Sequence, residues 1–344
     1  MNVAVIFGGI SPERNVSITG GRAVVRALKD KGHNVIPVDP AYGIDAVKSG
    51  EELINSDSLP PIEQYKEFHT KKLIECINSE IFDNIDIAFL VVHGQNSEDG
   101  KIQSLLQLRG IPHTGSDVKS SALCIDKITS KMMFNAAGIL TPEWVPVQPK
   151  DYNNFDYFKE IRNTLGNHLV IKPNDQGSTI GITIVDGGNL DDINDAVNNA
   201  AQYSDSVLIE KFISGREITV GIVGEDILPV IEIVPFEGFY DYEHKYTKGR
   251  TEYICPAEIS EDIEGFTQDM AYLAFQVLGC AGFARADFRL DEDGQPYLLE
   301  MNTIPGFTET SLVPKAAKQI GIEFPELCEK IIDLALNKQD KEND

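Results

Sequence analysis

Positive charge is scarce in this chain. Thirty Lys and Arg stand against 54 Asp and Glu, a formal net charge of −24. That balance argues against wrapping nucleic acid or an anionic membrane, although a local basic pocket could still take a phosphate. No apolar run approaches the ~20 residues of a membrane span. The opening MNVAVIFGG enters a strand with no basic leader, so no signal peptide is expected, and the expected location is cytoplasmic. Cysteine is also sparse. Cys76, Cys124, Cys255, Cys280 and Cys328 are scattered, odd in number and without a CxxC pair, which excludes a disulfide framework and fits packed, reduced thiols. Gly8-Gly9 lacks the third glycine of the dinucleotide fingerprint, and no GK[ST] completes a Walker A loop. Repeats and low-complexity tracts are missing as well.

What remains is an ordinary globular composition, 42% hydrophobic and 24% charged, over 344 residues, enough for two or three domains. Residues 2–7 read as a strand, GGISPER as a glycine turn, the following stretch as a helix ending near Gly32, and 35–39 as the next strand. A βαβ start predicts a parallel, doubly wound sheet. Ligands bind such sheets at the carboxyl ends of strands. Glu13 falls there, as does His93 after the strand 85–92. Residues 41–80 read as a peripheral insertion with a helix near 63–79. A helix at 101–108 and a short strand from Ile111 follow, and then a helix over 117–137. Lys127 and Lys131 lie one turn apart on it, either as a solvated basic face or with one lysine reaching a phosphate.

Residues 169–185 read as strand, loop, strand. Lys172 ends the first strand, and PNDQGSTIG is either a plain hairpin loop or a flap whose N–H groups cover phosphates. A helix (190–202) and a strand (207–213) come next. Glu210 and Lys211 sit mid-strand, unusual for a buried position unless they bond a ligand. A further strand carries Glu217. The aromatic, charged stretch 236–257 predicts a long ordered loop. A helix (261–278), a last helix (324–337) and a frayed tail (339–344) complete the chain.

Residues 283–306, FARADFRLDEDGQPYLLEMNTIPG, predict a hairpin with DEDG at its turn. Centring the turn on Glu292 and Asp293 sets Arg285 opposite Glu300 and Asp287 opposite Leu298. Alternation then gives an apolar face of Ala284, Ala286, Phe288, Leu290, Tyr297, Leu299 and Met301. The other face carries Arg285, Asp287, Glu300 and Asn302. Such a face is either a solvated salt bridge or a set of hard oxygen ligands for Mg²⁺ beside a guanidinium.

Nine segments, in this order, resemble the D-alanine–D-alanine ligase family of ATP-grasp enzymes. They are GGISPERNVS, HGQNSEDG, IPHTGSD, IDKITSK, IKPNDQGSTIG, VLIEKFISGREITV, FYDYEHKY, GFARADFRL and YLLEMNTIPGFTETSLVP. The resemblance implies an α/β chain with α+β parts: an N-terminal doubly wound domain (1–120), then an ATP-grasp fold as a central subdomain (121–213) and a C-terminal subdomain (214–338). It implies ATP as co-substrate, two Mg²⁺ or Mn²⁺, two D-alanines as substrates, and a homodimer. The product would be D-alanyl-D-alanine for peptidoglycan, formed through a D-alanyl phosphate.

Carried over residue by residue, Asp287, Glu300 and Asn302 would hold the metals. Arg285 and the N–H of Gly306 would stabilise the tetrahedral intermediate. Glu13 would bind the first D-alanine's ammonium near His93. Ser178, Tyr246 and Glu13 would latch the loops. Ser311 and Leu312 would meet the second substrate's carboxylate. Lys127, Lys172 and Lys245 would contact phosphates. Glu210, Lys211, Phe212, Ile213, Glu217 and Phe239 would belong to the nucleotide site. The chain departs from the family at Ser97, where glycine is usual, and at Ile125, where methionine is common. The alternatives are a ligase using D-lactate or D-serine as second substrate, another carboxylate–amine ligase of the superfamily, and a non-catalytic nucleotide-binding relative.

Overall fold

The computed structural model describes residues 1–235 and 251–343. Among the described residues three sheets follow one another along the chain. In the first, β1 (Asn2–Ile6), β2 (Asn34–Val38) and β3 (Ile87–Leu90) run parallel in the order β2-β1-β3. VAVI in β1 and IAFL in β3 are wholly buried, the unbroken apolar run that a parallel strand covered on both faces needs. The helix Arg14–Asp30 packs Ile18, Val24, Val25 and Leu28 inward, the one-sided spacing of an amphipathic helix. It stops where Gly32 takes φ +85, with Gly32 N–H bonded to Lys29 O and His33 N–H to Leu28 O. That pair of bonds caps the last turn.

The second sheet is antiparallel, with β4 (Trp144–Val147), β5 (Leu169–Pro173), β6 (Thr183–Val185) and β7 (Val207–Lys211) in the order β4-β7-β5-β6. The third contains β8 (Arg216–Val223), β9 (Asp226–Ile227), β10 (Ile231–Pro235), β11 (Thr251–Ile254), β12 (Phe283–Leu290) and β13 (Pro296–Asn302). Its order is β11-β10-β8-β12-β13, with β9 beside β8. The helix Glu261–Val277 covers one face through Met270, Ala271, Ala274 and Phe275, packed with Ile218, Val220, Ala286 and Phe288. Arg285, Asp287 and Arg289 share the other face, where Asp287 and Arg289 line the cleft.

Local structure differs from the sequence reading at several points. The helix predicted over 117–137 is two helices, Val118–Ile125 and Lys127–Ala136. Asp126 leaves helical geometry between them (φ −80, ψ 96), and its carboxylate accepts the Thr129 N–H at 2.8 Å. An aspartate is a strong N-cap, so it starts a new helix there. The helix near 63–79 is a 3-10 turn, Ile62–Glu67, and a short helix, Lys71–Ile77, with Phe68 extended between them. The strand expected from Ile111 shrinks to one parallel bridge, His113 to Ala88. The last helix runs to Asn343 and does not fray at 337.

The hairpin changes most. Leu290 pairs with Pro296, Phe288 with Leu298, Asp287 with Glu300 and Arg285 with Asn302. The turn is therefore longer than read, residues 291–295, closed by Asp291 N–H to Gln295 O and Gly294 N–H to Asp291 O. A register shift between Asp287 and Phe288 marks a bulge that leaves Leu299 as the extra residue of β13. Leu298 enters the core, while Tyr297 and Leu299 do not, contrary to the expected alternation. Leu299 lines the cleft beside Glu300.

Candidate active site

A cleft of about 820 Å³, open mouth included, lies between the second and third sheets. Its floor is the hairpin. Arg285 donates to both carboxylate oxygens of Asp287, Nε to Oδ1 and Nη2 to Oδ2, each at 2.7 Å. Thr219 on β8 donates to the same Oδ1 at 2.7 Å, fixing the carboxylate from the neighbouring strand. Facing Asp287 across the bulge, Glu300 pairs with Lys127 at 3.0 Å. Asn302 accepts the Ile304 N–H through Oδ1 at 3.0 Å.

Two facing carboxylates and a nearby amide oxygen are a donor set suited to a hard divalent cation. Among the described residues no three His, Cys, Asp or Glu side chains gather as a metal site, and here the third donor is the amide of Asn302. Each carboxylate pairs with a cation, Asp287 with Arg285 and Glu300 with Lys127.

Three more charges meet behind the cleft. Glu210 sits between Lys131 and Lys172, 2.9 Å from each. Glu210 is 2% exposed and Lys131 fully buried. Burial would raise the Glu210 carboxyl, but the two ammonium groups prevail and hold it below its usual range. Burial pushes Lys131 down to about 8, against the attraction of Glu210. Lys127 and Lys131 thus point inward; they are not a solvated face. Lys131 is one residue sequence reasoning did not assign, although its spacing from Lys127 was visible.

The loop after β5 closes the cleft. Lys127 Nζ donates to Gln176 O at 2.7 Å, and Lys127 N–H donates to Asn174 O at 3.1 Å. Ser178 (φ +52) and Thr179 (φ +65) adopt left-handed backbone, uncommon for residues with a Cβ and found where tertiary contacts hold it. Ser178 Oγ donates to Glu13 Oε1. Glu13 belongs to the turn after β1. There Gly8 and Gly9 both have φ +76, and a Cβ on Gly8 would come within 2.7 Å of the Asp39 carboxylate. Asp39 is locked to Arg14, and Arg14 also donates to Gly9 O at 2.8 Å, so this buried pair shapes the turn that presents Glu13.

His93 is buried beside Glu98, with Nδ1 to Oε1 at 3.8 Å. Burial lowers its basicity, but Glu98 and Glu13 outweigh burial and the imidazole is raised. Glu98 also accepts the Gly94 N–H at 2.9 Å. Ser97 is absent from the left-handed positions, whereas its neighbour Asn96 has φ +69, so Ser97 replaces glycine without backbone strain. On the far side of the cleft Arg289 approaches Glu217 at 3.7 Å, donates to Ile213 O at 3.2 Å and lies over the Phe212 ring. Phe212 stacks on His168 at 3.9 Å.

Of the expected residues, Lys127, Lys172, Ser178, Glu210, Lys211, Phe212, Ile213, Glu217, Asp287 and Glu300 line this one cleft. Asn302 lines a smaller cavity that shares Lys127, Gly177 and Glu300 with it. Glu13, His93, Arg285, Gly306, Ser311 and Leu312 lie outside both linings. Ser311 precedes the helix Leu312–Gln319, and its Oγ accepts the Thr308 N–H at 2.9 Å. Phe239, Lys245 and Tyr246 fall outside the described residues. Thr219, Arg289 and Glu98 are the contributors the sequence reading passed over. Arg289 could have been found, since Arg285, Asp287 and Arg289 alternate on one strand face.

Residues 2–116 match the family described as D-ala D-ala ligase N-terminus, and residues 133–333 the family described as D-ala D-ala ligase C-terminus. A D-alanine–D-alanine ligase of Halalkalibacterium halodurans is 37% identical over 98% of this chain and 100% of its own. The fold superposes on the D-alanine–D-alanine ligase of Bacillus anthracis complexed with ATP, at a TM-score of 0.78 and 29% identity, covering 99% of both chains. It is also similar to the VanG D-Ala:D-Ser ligase of Enterococcus faecalis, at a TM-score of 0.79 and 31% identity, covering 97% of this chain and 99% of that one. Likeness that runs through both halves of the chain has one reading: the chain belongs to the D-alanine–D-alanine ligase family, ATP-dependent ligases of the ATP-grasp fold.

Proposed function

We propose that this chain joins two D-alanines with ATP, giving D-alanyl-D-alanine, ADP and phosphate. The observation that carries the site assignment is the register of the hairpin, which sets Asp287 opposite Glu300 and beside Arg285, with Lys127 reaching Glu300 across the cleft. Phosphoryl transfer asks a protein for alignment and charge neutralisation more than for covalent chemistry. Lys127 and Lys172 bring positive charge to the phosphate end, and the loop 174–180 covers it. Phe212, Ile213 and Glu217 bound the end for the base and ribose. When bound, Mg²⁺ at Asp287, Glu300 and Asn302 would neutralise the transferring phosphoryl group.

In this reading the first D-alanine's carboxylate takes the γ-phosphoryl group and ADP leaves. The second D-alanine's amine then attacks the acyl carbon and phosphate departs. Arg285, with the Gly306 N–H, faces the charge that builds on the acyl oxygen. Glu13 holds the first ammonium, and the Ser178 contact keeps water out while the acyl phosphate exists. Tyr246, Lys245 and Phe239 are assigned to the latch and nucleotide site by resemblance alone, as are Ser311 and Leu312 to the second carboxylate.

The same resemblance supports a homodimer, the three-part division at about 120 and 213, and a cytoplasmic location. Among the described residues no helix is long and apolar enough to cross a membrane. Coupled ADP-formation assays with D-alanine, D-serine and D-lactate in competition test the function. D-alanine-dependent ADP release with D-alanyl-D-alanine as main product is expected. Preference for D-serine or D-lactate at neutral pH would move the assignment to the D-Ala:D-Ser type or its depsipeptide counterpart. No amino-acid-dependent ADP release from folded, Mg²⁺-replete protein would overturn it.

A further inference from the structure

Cys124 and Cys280 lie 156 residues apart in sequence, yet their sulfur atoms are 3.5 Å apart, both as free thiols. The surrounding backbone is stitched to keep them together. Ser120 Oγ donates to Gly279 O at 2.6 Å, and the Ala281 N–H donates to Ser116 Oγ at 3.2 Å. These bonds flank Cys280 on both sides and tie it to the helix start that leads into Cys124. We propose that Cys124 and Cys280 form a redox modification site, closing to a disulfide under a two-electron oxidant such as a peroxide and lowering activity at the adjoining cleft. The effect on activity rests on the ligase reading above; formation of the bond does not.

Access differs between the two thiols. Cys280 is half-buried, whereas Cys124 is 3% exposed and lines the smaller cavity with Lys127, Glu300 and Asn302. Its hydrogen bond with Cys280, and then burial, holds the Cys124 thiol well above its usual range. Cys280 is therefore the first to react. Its thiolate takes one oxygen from the peroxide, releasing hydroxide and leaving a sulfenic acid. The Cys124 thiol then attacks that sulfur, the S–S bond forms, and water leaves. Two thiols lose two electrons in all, and one peroxide becomes two waters.

A disulfide has its sulfurs about 2.05 Å apart, so closure must bring the two sulfurs closer by roughly 1.5 Å, shifting the ends of the segments that carry them. Cys124 is in the last turn of the helix Val118–Ile125, three residues before Lys127. Lys127 N–H holds Asn174 O, Ile128 N–H holds Asn174 Oδ1, and Lys127 Nζ holds Gln176 O and Glu300. Movement at Cys124 therefore reaches both the flap and the hairpin floor within one short link.

Peptide mapping of the intact protein after peroxide titration, without reduction, tests the bond directly. A cross-linked pair of peptides joined through Cys124 and Cys280 is expected, with the half-buried Cys255 still alkylatable. Ligase turnover should fall about ten- to a hundredfold, the upper end being what an ångström of misplacement can cost, and dithiothreitol should restore it. Cys280→Ser should keep the untreated rate and resist the same peroxide dose; Cys280→Ala serves if the serine variant does not fold. Cys280 recovered as a sulfinic acid or still alkylatable, with no cross-linked peptide, would overturn the proposal. So would a quantitative cross-link with turnover unchanged.

Discussion

Ser178 donates a hydrogen bond to Glu13 across 165 residues of sequence. It ties the loop that follows β5 to the turn that follows β1, and so joins the second sheet to the first over the cleft. Gly177 lies against the same turn, where a Cβ would be 3.6 Å from Glu13 and 3.8 Å from Glu98. The left-handed backbone at Ser178 and Thr179 is held in place by this contact.

Ser178→Ala removes the donor and leaves the Glu13 carboxylate short of one bond. Hydrogen bonds to charged groups contribute about 1.5–3 kcal/mol. Turnover should therefore drop about ten- to a hundredfold, with ATP affinity changed far less. Steady-state kinetics beside nucleotide titration separate the two. A tenfold loss of ATP affinity at unchanged turnover would contradict closure as the role of this contact.

Glu300→Gln keeps the shape of the side chain but removes the charge that faces Asp287 and pairs with Lys127. The expected outcome is loss of at least about a hundredfold in turnover, in line with removal of a transition-state charge partner. The far-ultraviolet circular dichroism should be retained, and the Mg²⁺ concentration needed for half-maximal rate should rise. Activity within twofold of the parent would remove Glu300 from the metal set.

Glu210→Gln should cost stability as well as activity. Lys131 and Lys172 share this one buried carboxylate, and breaking a buried pair costs about 3–5 kcal/mol because a charge is left uncompensated. Urea unfolding of the apo protein measures it. A change below about 1 kcal/mol would mean that water or a displaced side chain replaces the carboxylate.

His93 supplies a pH test. Its basicity is raised above the ordinary 6.5 in the folded chain, by Glu98 and Glu13 acting against burial. A raised histidine stabilises the fold when protonated. That contribution is complete below 6.5 and is lost as pH rises through the higher folded value. The stability difference between the parent and His93→Gln should be largest below pH 6.5 and shrink as pH rises above it. A difference that grows with pH would show the imidazole to be held neutral.

Much of this was legible in the sequence because it depends on local pattern. Unbroken apolar runs marked β1 and β3, and alternation marked β12. Glycines marked the turns at Gly8-Gly9 and Gly32. The charged residues of the hairpin were visible as a group, since side chains two apart on a strand share a face. The break at Asp126 was legible in principle, because aspartate caps helices; the continuous apolar and basic pattern on either side of it hid the signal.

Which residues meet was decided only in three dimensions. Sequence set Arg285, Asp287, Glu300 and Asn302 on one hairpin, but the five-residue turn and the bulge at Leu299 chose Glu300 as the partner of Asp287. One extra residue reverses the alternation beyond it, and its position is fixed by pairing with β8 and by packing of Phe288 and Leu298 in the core. In the same way, the sharing of Glu210 by Lys131 and Lys172, the reach of Ser178 to Glu13 and the meeting of Cys124 with Cys280 rest on contacts between distant segments. Local pattern marks the strands, helices and turns; long-range pairing and packing fix the register, and with it what lies opposite each side chain.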